Sequence, residues 1–276
     1  MKLVIFVAAL IAAEPTGVAD EAAQVQAEAV EVAAYARQQA ASWELFLEGP
    51  KRTKVELRSE PVLRWSNPEV GRVYGSVFLW TAGGRPVAAG SVYRWFAPLT
   101  DRTGELVTLT PDALSAEKNG RKLWNPKAGL VDFKPIPGAP APDRGTKSRL
   151  PQIRNLARDF APELADTRVT AEGTPKQLRL LDQPIFKYGP AAGGLLEGAV
   201  FAFAVGTDPE ALLLIEARQS DVGRQWYYVL ARMNRDGMRV RHKDQEIWSV
   251  PYLQKPWADR DAPYLLFGLD PPDDEK

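Results

Sequence analysis

The chain is written twice, and that constrains its fold more than any other feature. Slid against itself by about 123 residues, Lys54–Val92 aligns with Gln177–Ile215 without a gap. About nine of those 39 positions are identical, where background usage gives about two or three. Leu57 meets Leu180, Pro61 meets Pro184, Gly71 meets Gly194, Gly75 meets Gly198, and Val77-Phe78 meets Val200-Phe201. Gly83, Pro86 and Ala88 meet Gly206, Pro209 and Ala211. Matched glycines and prolines weigh most, because they dictate backbone geometry rather than mere apolarity. After one added residue Leu114, Ala116, Leu123 and Trp124 meet Met238, Val240, Ile247 and Trp248. Upstream, Glu48-Gly49 meets Glu172-Gly173, and Tyr35-Ala36-Arg37 meets Leu156-Ala157-Arg158. The alternative is two similar β-hairpins that converged.

Each copy reads as a helix followed by an antiparallel meander. The first helix is expected over Glu21–Ala41, with Asp20 as its N-cap once a leader is removed. The second is expected over Arg149–Phe160, where Leu150, Ile153, Leu156, Ala157 and Phe160 share a face. Trp43, Leu45 and Leu47 alternate, and Val55 and Leu57 alternate after a Gly-Pro turn, the pattern of a hairpin. Val73–Thr81 and Leu195–Val205 are nearly continuous apolar runs, as in strands covered on both faces. Asn119-Gly120 signals a type I′ turn. The chain therefore divides into an export signal over 1–19, a repeat unit over 20–125, a Pro-rich linker over 126–147, a second unit over 148–269 and a charged tail over 270–276. The expected fold class is α+β, an internal duplication of two tandem helix-plus-antiparallel-sheet units, cystatin-like by analogy only. Whether the two sheets merge is left open by the pattern.

Composition removes whole chemistries. There is no cysteine, so disulfides, thiol nucleophiles and thiolate metal sites are absent, and one histidine leaves no material for a His-rich metal site. No cofactor is expected. Lys plus Arg equals Asp plus Glu at 35 each, a neutral balance that does not point to nucleic acid. Lys2 followed by the apolar run Leu3–Ala13 reads as a secretory signal, with small residues around Ala13 and Ala19 for cleavage. That run of about 11 residues is shorter than the roughly 20 a membrane span needs. A buried amino-terminal helix is the alternative. No later segment is apolar for long enough to span a bilayer, so an exported protein, periplasmic or extracellular, is expected.

Candidate sites remain sparse. His242 lies in Met238-Arg239-Val240-Arg241-His242-Lys243 and reads as a partly exposed strand-end residue with cationic neighbours that oppose its protonation. Asp208 and Glu210 form the one tempting carboxylate pair, although acids beside a turn proline commonly end strands in solvent. Glu197 is an acid inside a buried-looking strand; it either pairs with a cation such as Arg218 or marks a pocket. The aromatic–cation pairs are the better binding signal: Arg64-Trp65 and Lys187-Tyr188 occupy matching positions, and Arg94-Trp95 ends a strand. Such side chains stack on sugar rings or fill a protein interface, or else pack against a helix or sheet edge. Trp124 and Trp248, matched in the closing strands, read as core.

The strings Pro61–Pro68, Gly75–Trp80, Lys134–Pro140 and Phe201–Glu210 resemble a family of secreted planctomycete proteins of unknown function. The resemblance spans most of residues 43–268 and implies a bacterial exported protein without supplying an activity. The stretch Leu99–Val107 after the Arg94-Trp95 strand holds no histidine, so no metal site comes with it. The expectation is a non-enzymatic exported binding or structural protein with a protein or glycan ligand. The alternatives are a carboxylate-dependent hydrolase acting on glycans and a scaffold subunit of a cell-envelope assembly.

Overall fold

The computed structural model describes residues 16–166, 175–221 and 223–270. The first half runs α1 (Thr16–Ala41), β1 (Trp43–Leu47), β2 (Thr53–Lys54), β3 (Glu56–Leu57), β4 (Leu63–Ser66), β5 (Arg72–Ala82), β6 (Arg85–Ala97), β7 (Arg102–Thr108), β8 (Leu114–Lys118), β9 (Arg121–Trp124) and β10 (Lys134–Pro135). The second runs α2 (Thr146–Arg158), β11 (Phe160–Asp166), β12 (Lys176–Gln177), β13 (Arg179–Leu180), β14 (Phe186–Tyr188), β15 (Leu195–Val205), β16 (Asp208–Ser220), β17 (Gly223–Arg232), β18 (Gly237–His242), β19 (Gln245–Val250) and β20 (Tyr264–Gly268).

Long strands form where the apolar runs lie. β5 pairs with β6 from Ala82↔Arg85 to Arg72↔Ala97, around Gly83 and Gly84 at φ 55° and 81°. Left-handed residues at both turn positions match the twist of the flanking strands. The Asn119-Gly120 turn between β8 and β9 does the same, at φ 52° and 71°. Successive side chains of these strands point to opposite faces, so strands apolar at nearly every position must be covered twice.

The cover is mostly more β-sheet. Each half makes a four-stranded sheet, β2-β1-β8-β9 or β12-β11-β18-β19, and a six-stranded sheet centred on β5-β6-β7 or β15-β16-β17. The two large sheets stay separate and pack face to face, joining Val77, Leu79, Ala89 and Val107 of one to Val200, Leu212, Leu214 and Val229 of the other. On the outer faces, Phe78, Trp80 and Leu106 meet Trp43, Leu45, Leu114 and α1, and Phe201, Phe203 and Ile215 meet Phe160, Val240 and α2. Burying one such side chain contributes roughly 1.5–3 kcal/mol, so the central seam ties the halves firmly.

This corrects the expected α+β class. The protein is mostly β, about 50% strand and 15% helix, with four antiparallel sheets and two helices among the described residues. The reason is coverage. One helix per half, about 10 Å across, covers only part of a six-stranded sheet whose strands lie about 4.8 Å apart. The meander therefore splits, and its first and last strands fold back as a second sheet beside the helix. The helix-on-one-sheet unit and its cystatin-like analogy both fall.

Boundaries shift accordingly. α1 starts at Thr16, which places Asp20 inside the helix of this chain, and α2 ends at Arg158, so Phe160 opens β11. The Pro-rich linker supplies β10, which pairs with β17, and the segment after β19 supplies β20, which pairs with β7. The stretch following each half thus completes the large sheet of the other. Residues 1–15 of the expected export signal, the matched Glu172-Gly173 and residues 271–276 of the tail lie outside the described residues. Among the described residues no helix is long and apolar enough to cross a membrane.

Candidate functional site

Trp65 and Tyr188 sit at matching places and do matching work. Trp65 on β4 lies directly across from Gly75 on β5, and Tyr188 on β14 lies across from Gly198 on β15. A Cβ at Gly75 would come within 2.3 Å of the Trp65 ring, and one at Gly198 within 2.2 Å of the Tyr188 ring. Each ring therefore lies flat on a strand glycine, which explains why both glycines recur in the two copies. Each ring is only 6% exposed, and its polar atom is engaged: Trp65 Nε1 donates to Ser91 Oγ at 3.2 Å, and the Tyr188 hydroxyl donates to Glu216 Oε1 at 2.9 Å.

The structure gathers Lys187, Tyr188 and Glu197 around one cleft of about 490 Å³, between the first turns of α2 and the β14–β15 hairpin. Thr146, Lys147, Leu150 and Leu196 complete its wall. Arg64 and Trp65 line the corresponding cleft of the first half, which is about 110 Å³ and is walled by Gln26, Ala29, Val30 and Ala33 of α1. Arg94 and Trp95 join neither cleft. Arg94 pairs with Glu31 of α1 and stands over the Phe96 ring at 4.4 Å, while Trp95 is half-buried against the central core.

Glu197 is held by Arg149 of α2, Nε to Oε2 at 2.9 Å, rather than by Arg218. Glu197 faces the helix side of β15, whereas Arg218 projects with Leu212 and Leu214 from the opposite face of the sheet. Arg218 instead joins Arg85 and Tyr188 on the fully buried Glu216, with Arg85 Nε donating to Oε1 at 2.8 Å and its Nη2 to Oε2 at 3.0 Å. Arg85 belongs to the first half and Glu216 to the second, so this buried pair crosses the seam.

A second cluster crosses the seam in the reverse sense. Glu105 of β7, Asp208 and Glu210 of β16 all turn inward between the two large sheets, and burial raises the pKa of each. Glu105 reaches about 8; Tyr264 donates to its Oε1 at 2.8 Å and Tyr93 at 3.3 Å. Asn67 donates to Asp208 at 3.2 Å, and Asn234 donates to Glu210, which reaches about 7 with Asp236 adding to the rise. Asp208 and Glu210 form the pair that the sequence singles out. Glu105 does not stand out there, although an acid next to Leu106-Val107 at the inward-facing phase is the same kind of signal as Glu197.

His242 is buried, not partly exposed, at 4%. The alternation of Met238 and Val240 continues one step further, and the imidazole packs against the Phe160 ring at 4.9 Å. Burial lowers its pKa, and no described residue hydrogen-bonds its Nε2. Trp124 is fully buried, its Nε1 donating to the Ala262 carbonyl at 2.8 Å, and Trp248 packs half-buried against the second core. Comparison with family models, with curated proteins and with solved structures returned no match in any of the three.

Proposed function

We propose that this chain is an exported, non-enzymatic binding protein whose ligand sits in the cleft between α2 and the β14–β15 hairpin. One observation carries the reading: the two halves have the same strand order, yet the second keeps about 490 Å³ open where the first keeps about 110 Å³. A position that is filled in one half and hollow in the other has been freed from packing duty. Concave sites lined by apolar residues with a few polar groups are where small ligands bind. The apolar amino-terminal run and the resemblance to secreted planctomycete proteins favour export. The acid cluster favours a structural role over hydrolysis, since a tyrosine or asparagine donor holds each carboxylate between the sheets.

The test is thermal shift against neutral and acidic oligosaccharides, peptides and oligonucleotides, on the wild-type chain and on Leu196→Trp, which plugs the cleft. A ligand at a hundredfold excess over its Kd stabilises by about 2.7 kcal/mol, a shift of a few degrees in Tm. At least one class should shift the wild type and leave the plugged variant unmoved. If no shift occurs, or every shift persists in Leu196→Trp, the proposal is wrong.

A further inference from the structure

We propose that the ligand is an acid-bearing oligosaccharide, carrying carboxylate or sulfate groups, laid along a groove of three connected clefts; this rests on the cleft reading above. The first cleft shares Pro190 and Leu196 with a second of about 460 Å³, which shares Arg224 with a third of about 340 Å³. Charge along this path is one-sided. Arg144, Lys147, Lys187 and Arg224 line it, and none of the four has a side-chain ion pair among the described residues. Glu197 is the one acid among the described lining residues, and Arg149 neutralises it at 2.9 Å. α2 also directs its amino end toward the first cleft, with no capping side chain and no acid in its first turn.

The floor of the groove separates a glycan from other polyanions. β15 is paired on one side by β16 and on the other by β13 and β14, and β17 is paired by β16 and β10. The strand edges left open along the groove are short, three residues in β14 and two in β10, so an extended peptide finds few of the backbone hydrogen bonds that are the usual source of its affinity. Tyr188 and Trp226, the aromatic residues of the walls, are buried, so bases have no platform to stack on. What the groove does offer is Leu150, Pro190 and Leu196 against the C–H faces of sugar rings, with guanidinium and ammonium groups beside them. Guanidinium forks bind carboxylate and sulfate with two parallel bonds.

The decisive experiment titrates the full chain by calorimetry with galacturonic acid hexamer, chondroitin sulfate hexamer, a neutral galactan hexamer, hexaglutamate and hexathymidylate. An acidic hexamer should bind, weaken with added salt, and weaken about tenfold or more in the double variant Lys147→Glu/Lys187→Glu. Lys51→Glu, an exposed charge reversal on the first half, should leave the affinity unchanged. Equal affinity in the double variant overturns the proposal. So does preferential, plug-sensitive binding of the neutral hexamer, hexaglutamate or hexathymidylate, which would keep the cleft and discard the ligand class. Absence of any plug-sensitive binding removes both.

Discussion

Replacing Glu105 by glutamine should make the protein more stable, and increasingly so as pH rises. Burial lifts the Glu105 carboxyl from 4.5 to about 8, with Glu210 adding to the rise and Tyr264 and Tyr93 donating against it. Between those values the folded chain keeps a proton that the unfolded chain has released. The contribution of this group is therefore fully present below pH 4.5 and is lost as pH climbs to about 8. At about 1.4 kcal/mol per pH unit, the loss reaches about 5 kcal/mol above pH 8. Glu105→Gln keeps an oxygen to accept from Tyr264 and removes the charge. Urea unfolding followed by tryptophan fluorescence from pH 5 to 9 should show the two chains close together at pH 5 and diverging upward. Asp208 and Glu210, raised in the same direction, leave a residual slope in the variant. His242, whose charging is opposed by burial, acts in the other direction below pH 6.5 and cancels in the difference. Parallel pH profiles for the two chains would refute the reasoning, because they would mean that Glu105 is not held protonated at the seam.

Two further outcomes follow from the seam and the strand glycines. Glu216→Gln leaves the Arg85 and Arg218 guanidiniums facing a neutral amide in a buried site and should cost about 3–5 kcal/mol, partly recovered by adding Arg85→Met; a loss below 1 kcal/mol in equilibrium unfolding would contradict the pairing. Gly198→Ala forces the Tyr188 ring off β15 and should cost about 1–3 kcal/mol, whereas Gly189→Ala, with nothing within 4 Å of the added methyl, should change stability little. Equal melting temperatures for the two alanine variants would remove the ring-on-glycine account.

Much of the local structure is legible in the sequence. The Asn119-Gly120 turn, the apolar runs of β5 and β15 and the two helices depend on neighbours a few residues away; the turn and strands lie where period and turn chemistry place them, and the helices do so with shifted ends. The alignment also pairs Arg85 with Asp208 and Tyr93 with Glu216. It does not reveal that each member reaches into the opposite half, Arg85 to Glu216 and Asp208 toward Tyr93. Glu197 does pair with a cation and does line a cleft, but its partner is Arg149 rather than Arg218, because Glu197 and Arg218 project from opposite faces of one sheet. His242 is buried because the alternation of Met238 and Val240 runs one residue further than the turn signal suggests.

By itself, the sequence determined a cysteine-free chain with two copies of one strand pattern, and it marked the recurring glycines and the recurring aromatic residues, though not that each ring lies on a glycine. Only the tertiary structure decided that each copy splits into two sheets, that β10 and β20 complete each other's halves, and that Glu105, Asp208 and Glu210 meet. Turns and alternation are written in the steric limits of adjacent residues, whereas the sharing of a sheet face depends on which distant surfaces bury one another. The same division applies to the groove. Its cations are visible one by one in the sequence, but their convergence depends on how α2 and the β14–β15 hairpin come together in the fold.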